Sequence, residues 1–176
     1  MKKRHALIFI ALVSIVSSCE KDPIIRTDKN VGISTVAYYP NITLTGEVVI
    51  AVANGTSFTE PGVKAQAGGA DVPVVTSGTI DTNVDGVYTL TYTATNVDGV
   101  STAHRTVAVY TTDADAATHD LSGKYFRAAT GLTATWSKIG PGVYTVLNPA
   151  GSGIGISLVV VAINPTGYTI SVPDQT

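Results

Sequence analysis

Apolar residues in this chain form one continuous block near the start and many short runs after it. The block covers residues 6–16, follows Met1-Lys2-Lys3-Arg4-His5 and leads into Ser17-Ser18-Cys19. It is too short to cross a bilayer as a helix, which takes about 20 apolar residues. A cationic start, an apolar middle and small residues before a cut site predict a signal peptide over residues 1–18. Beyond it, no window keeps apolar residues three and four apart. The period is two, which predicts strands.

Between residues 37 and 111 the strands are short and closely spaced. Ile42-Thr43-Leu44 alternates. An apolar run at 48–52 closes at Ala53-Asn54-Gly55, another at 63–67 follows Glu60-Pro61-Gly62, and a third at 72–76 ends at Ser77-Gly78. The clearest strand is 87–94, where Tyr88, Leu90, Tyr92 and Ala94 share one face and Val87, Thr89, Thr91 and Thr93 the other. That pattern predicts one core face and one wet face. After the turn Asn96-Val97-Asp98-Gly99, a last strand runs over 101–110. About seven short strands in this space suggest a β-sandwich.

Residues 112–119 read as a linker, and a second unit covers 120–176. There, 132–136 and 143–147 form a hairpin around Gly140-Pro141-Gly142. A further pair, 155–163 and 168–172, turns at Asn164-Pro165-Thr166-Gly167. The apolar run 154–163 is too short to span a membrane and suits a strand covered on both faces. The sequence stops at Pro173-Asp174-Gln175-Thr176 without a closing strand, and this second domain is therefore read as incomplete.

Composition supports an all-β fold, since Thr, Val, Gly and Tyr are abundant while Leu, Glu and Lys are scarce. Cleavage before Cys19 removes Lys2, Lys3 and Arg4 and leaves 8 basic and 13 acidic side chains, a formal charge of −5. Nucleic acid and electrostatic attachment to an anionic surface are disfavoured, because both need clustered Lys and Arg. Cys19 is the single cysteine, so no disulfide forms within the chain.

Four resemblances sharpen the reading. Val16-Ser17-Ser18-Cys19 resembles a bacterial lipobox, which implies acylation of Cys19 and a membrane partner reached through lipid. Residues 19–36 would then be the lipidated tether. Its acidic residues resemble the surface-export signal of Bacteroidetes lipoproteins, with Lys21 interrupting the acidic pair. Within 37–111, Val52-Ala53-Asn54-Gly55 through Glu60-Pro61-Gly62, the strand Gly86-Val87-Tyr88-Thr89-Leu90 and the closing Arg105-Thr106-Val107-Ala108-Val109 resemble the bacterial surface immunoglobulin-like repeat. That family implies a sandwich with Tyr88 at the corner before strand F, and Leu90 stands where antibody domains have a cysteine. Asp120-Leu121-Ser122-Gly123-Lys124-Tyr125-Phe126-Arg127 and the stretch from Trp136 to Tyr144 resemble the C-terminal domain of small Bacteroides surface lipoproteins from nutrient-uptake loci.

Candidate chemistry is sparse. No G-x-S-x-G elbow is present, and the second unit has only Asp120 and Asp174 as acids, so no enzymatic activity is expected. Gly151-Ser152-Gly153-Ile154-Gly155 lacks dinucleotide spacing and precedes a strand. Thr-Asn-Val-Asp-Gly-Val occurs at 82–87 and 95–100, and fits turns better than a Ca²⁺ site. His104 and His119 lack metal spacing, and no cofactor is expected. Trp136 and Tyr144 are the candidate ligand-binding residues, as an aromatic platform for a sugar or peptide, with core packing as the competing role. The expected function is that of a non-catalytic outer-membrane surface lipoprotein, accessory in presenting a glycan or peptide to an importer. The alternative is a structural spacer or adhesin with no small ligand, and the exposure around Trp136 separates the two.

Overall fold

The computed structural model describes residues 30–31, 34–149, 159–163, 166 and 169–175. Cys19, the glycine-rich stretch 151–155 and Tyr168 lie outside the described residues. Residues 1–37 and Tyr38–Thr176 are separate compact units. In the first, β1 (Asn30–Val31) and β2 (Ser34–Thr35) pair antiparallel.

The second unit begins with an all-β sandwich. One sheet has the order β3 (Asn41–Leu44), β5 (Val63–Ala67), β6 (Ala70–Asp71). The other has the order β4 (Val49–Ala53), β9 (Gly99–Tyr110), β8 (Gly86–Asn96), β7 (Val74–Ser77), with β4 parallel to β9. In β8, Leu90, Tyr92 and Ala94 are buried on the predicted face, and Tyr88 packs beside Val52, Val107 and Val109. Alternation fixes the register, since a slip of one residue would turn every one of these side chains outward. The run expected over 72–76 starts as a strand only at Val74, because the Val72 N–H donates to the Ala65 carbonyl within β5 and continues the pairing of β6 with that strand.

The opposite face of this sheet departs from the expectation of a wet surface. Val49, Ala51, Val87, Ala108 and Tyr110 form a second core with Ile139, Val143, Val161 and Ile163. Those last four belong to a second antiparallel sheet, β10 (Gly123–Arg127), β11 (Leu132–Gly140), β12 (Val143–Leu147) and β13 (Val159–Ile163), in that order. The two sheets thus share apolar surface that neither could bury alone. Period two shows that a strand has two faces but not what covers the second one.

Two local features make this packing possible. Residues 112–119 were expected to be a plain linker, yet they contain the short helix α1 (Ala114–Thr118), whose Ala116 is fully buried. At the end of β11 a register irregularity falls between Lys138 and Gly140. A Cβ at Gly140 would lie 3.0 Å from the Ala51 Cβ and 3.1 Å from the Tyr110 hydroxyl. Gly140 therefore lets the hairpin approach the sandwich closely. The hairpin loop is Pro141-Gly142, and Gly142 has φ 68°, as a turn with Gly in its second central position requires. The expected strand at 168–172 reduces, among the described residues, to a single bridge between Ile163 and Ser171.

Candidate functional site

The pairing of β10, β11 and β12 collects aromatic side chains on one face. Tyr125 lies opposite Ala134, Gly123 opposite Trp136, and Trp136 opposite Val146. Directly opposed residues share a face, so Tyr125, Ala134, Trp136, Tyr144 and Val146 point the same way. Ala134 and Val146 are buried, with Trp136 packed on them. The Tyr125 and Trp136 rings meet edge-on at 5.8 Å, and the Trp136 and Tyr144 rings are tilted at 5.9 Å. Gly123 has no side chain to cover the indole from β10.

Two tyrosine hydroxyls fasten the segment before β10. Tyr144 donates to the His119 carbonyl at 2.9 Å and accepts the Leu121 N–H at 3.2 Å. Tyr125 donates to the Leu121 carbonyl at 2.8 Å. Both backbone groups of Leu121 are thereby satisfied, and its side chain becomes a wall of the site. Ahead of it, Asp120 accepts the Ser122 N–H at 2.9 Å, and this bond holds the Asp120 carboxyl below its ordinary pKa.

The result is a groove of about 420 Å³ lined by Leu121, Tyr125, Phe126, Arg127, Trp136 and Ile170, with Ala134 at its floor. Its walls are mostly apolar, with Arg127 the one charged lining residue. Tyr125 is 49% exposed and Phe126 68%. Binding pockets commonly combine such apolar surface with a few polar groups.

The structure brings Trp136 to this groove but corrects the pairing of Trp136 with Tyr144. Tyr144 has no exposed surface, and main-chain partners occupy its hydroxyl, so it supports the site from beneath. Tyr125 and Phe126 take the place it was expected to hold. Sequence reading noted both residues but gave no strand at 123–127, because its side chains do not alternate in polarity. The strand sits at a sheet edge, where nothing imposes alternation, and all five of its residues are exposed.

Elsewhere the polar residues singled out serve the backbone. The Asp85 carboxylate accepts from Asn54 Nδ2 at 2.6 Å and from the Thr111 hydroxyl and N–H at 3.0 and 3.1 Å. Asn96 Oδ1 accepts the N–H groups of Asp98 and Gly99, each at 3.0 Å. The second copy of the repeated hexapeptide thus carries turn chemistry, while Asp85 of the first ties together two segments distant in the chain. His104 is exposed beside the Thr91 hydroxyl, and no group of three or more metal-ligating side chains occurs among the described residues.

A buried ion pair went unread in the sequence. Arg105 is completely buried, and its Nε lies 3.0 Å from Glu60 Oε1. Its guanidinium also donates to the carbonyls of Thr45 at 2.8 Å, Gly62 at 3.4 Å and Glu47. The signal was present: Arg105 has the same parity in β9 as Val107 and Val109 and so must point inward.

No curated protein matches the chain significantly. Among solved structures, the lipoprotein BT2262 from Bacteroides thetaiotaomicron is similar, with 24% sequence identity, coverage of 77% of this chain and 78% of that one, and a TM-score of 0.47. Residues 42–109 match the family described as bacterial surface protein, Ig-like domain. The match spans β3 to nearly the end of β9, so the likeness is confined to the sandwich.

Proposed function

We propose that this chain is a non-catalytic, lipid-anchored protein of the bacterial outer surface that binds a glycan or peptide and presents it to an outer-membrane importer. The observation that carries the binding role is the groove beside Trp136, with Tyr125 and Phe126 exposed at its rim. Aromatic rings present flat apolar faces that stack on sugar rings or on apolar peptide side chains. The surface immunoglobulin-like domain supports an external address. The signal-like N-terminus and Cys19 support the anchor, since an acylated cysteine carrying two or more chains holds a protein stably at a membrane.

Trp136 is the single tryptophan of the chain, so its fluorescence reports on the groove alone. The test is titration with a panel of soluble polysaccharides and with a tryptic peptide mixture. A saturable change in emission with one of these, lost in a Phe126→Ala variant that keeps its thermal midpoint, supports binding. Unchanged emission across the panel favours the spacer role instead.

A further inference from the structure

The end of the sandwich where the tether arrives is unusually apolar. Residues 19–37 lead from the cysteine to Tyr38. There the chain is fixed to the β8–β9 turn: the Tyr38 N–H donates to Asp98 Oδ2 at 2.9 Å, and Asn96 Nδ2 donates to the Tyr38 carbonyl at 2.6 Å. Ser101 Oγ donates to the Pro40 carbonyl. The Tyr39 ring lies on Gly99, where a Cβ would fall 2.4 Å from a ring carbon, so a side chain at that position would displace the ring. Around this joint Val97 is 100% exposed, Tyr39 61%, Val100 59% and Tyr38 39%. Single exposed apolar residues are ordinary on protein surfaces, but four at one tip, one of them fully exposed, make that end of the sandwich apolar.

We infer that this tip, made by Tyr38, Tyr39, Val97 and Val100, rests against the phospholipid surface to which Cys19 is tethered. The inference depends on the anchor proposed above. Cys19 and Tyr38 are close in the sequence, which keeps the tip at high effective concentration near the bilayer without holding it there. Tyrosine suits the membrane interface, with its ring among apolar groups and its hydroxyl in water. The Asp98 carboxylate is turned onto the Tyr38 N–H and does not face lipid unpartnered. The tip residues include no Lys or Arg, and the processed chain carries a formal charge of −5, so the contact is apolar and needs no anionic lipid.

The contact has a consequence for the groove. β9 runs twelve residues from the tip at Gly99 to Tyr110. At about 3.3 Å per residue it spans about 35 Å. The second sheet packs at the Tyr110 end, so a tip resting on lipid carries that sheet away from the membrane.

The test avoids dependence on natural acylation. The processed chain, 19–176, is coupled through its single thiol at Cys19 to a maleimide phospholipid in phosphatidylcholine vesicles, and hydroxyl-radical oxidation of each aromatic residue is read by mass spectrometry. Coupling should slow oxidation of Tyr38 and Tyr39 about threefold or more, as burial in the interface would, while Tyr125 and Phe126 react as in the free chain. Val97→Asp with Val100→Asp should restore the free-chain rate at Tyr39. Unchanged Tyr38 and Tyr39 rates on coupling overturn the inference, as does protection that survives in the Asp variant or that falls on Tyr125 and Phe126. Failure of acylation in the cell would be seen separately, in the mass of the natural N-terminus.

Discussion

Arg105 and Glu60 meet inside the sandwich with Nε and Oε1 3.0 Å apart, the arginine wholly buried and the glutamate 27% exposed. The pair joins β9 to the loop that enters β5, and the Arg105 guanidinium donates to the Gly62 carbonyl of that loop and to the Thr45 carbonyl between β3 and β4. The Glu60 carboxylate has its second oxygen buried without a hydrogen-bond partner, so its connection to the fold runs through Oε1. The first prediction follows from this asymmetry. Arg105→Ala takes a donor from three carbonyls, of which that of Gly62 keeps the Thr45 N–H, and leaves a carboxylate unpaired, and should lower stability by about 3 kcal/mol or more. Glu60→Ala should cost less, because Arg105 keeps its carbonyl acceptors and the glutamate site already touches water. Urea denaturation of both variants checks the order, and equal losses would show that the ion pair itself dominates.

The corner of the sandwich gives the second prediction. The Tyr88 hydroxyl donates to the Val84 carbonyl at 2.9 Å, and Leu90 is buried two residues later. A Cβ at Gly78 would sit 2.4 Å from the Thr89 carbonyl oxygen and 3.4 Å from Leu90 Cδ2, so the chain closes tightly over that leucine. Leu90→Ala should cost about 2–5 kcal/mol, the range for emptying a packed site that cannot collapse. Tyr88→Phe removes a half-exposed hydrogen bond and should cost about 1 kcal/mol. A denaturation midpoint unmoved by Leu90→Ala would contradict the register of β8.

These two sites also show what was legible in the sequence. Alternation in β8 revealed which face enters the core, and Gly-Pro-Gly placement revealed the hairpin at Pro141-Gly142. The partner of the other face was hidden, because Val87 and Ala108 meet Val143 and Val161 through a fold of the chain that no local pattern encodes. The groove was half legible. Trp136 stood out by its chemistry, but whether a ring is covered depends on neighbours such as Gly123 and Leu121. Tyr144, equally aromatic, is buried because its hydroxyl is needed at His119 and Leu121.

A third prediction concerns the anchor. If Cys19 is acylated, the natural chain partitions into detergent and its N-terminal peptide carries the mass of added acyl chains. Cys19→Ala should leave an unacylated precursor or a soluble product. An unmodified Cys19 thiol in the mature protein, or a cut elsewhere, would refute the anchor.

Alkaline conditions supply a fourth. Burial raises the pKa of Tyr92 above its ordinary 10.0, with acceptance by Glu60 adding to the rise and Arg105 opposing it. Burial alone raises that of Tyr110. Because both folded values lie above the unfolded ones, their stabilising effect is complete below pH about 10 and is lost as pH rises through the folded values. The urea midpoint should therefore fall above pH about 10, and Tyr110→Phe should make that fall shallower. An identical decline in wild type and variant would show that Tyr110 does not couple to folding.

The last prediction concerns how opening is distributed through the second sheet. β12 lies between two strands, and its Val143 and Tyr144 are fully buried, the former in the core shared with the sandwich. β10 is an edge strand with every residue exposed, and one side of its backbone has no strand partner among the described residues. Local stability tracks buried apolar contact and protected hydrogen bonds. Hydrogen exchange should then be slowest in β8, nearly as slow in β12, and much faster in β10. A ligand seated in the groove would slow β10 most, since Tyr125 and Phe126 line it. Uniform exchange across β10, β11 and β12 would mean that the sheet opens as one unit, with no separate opening of its edge.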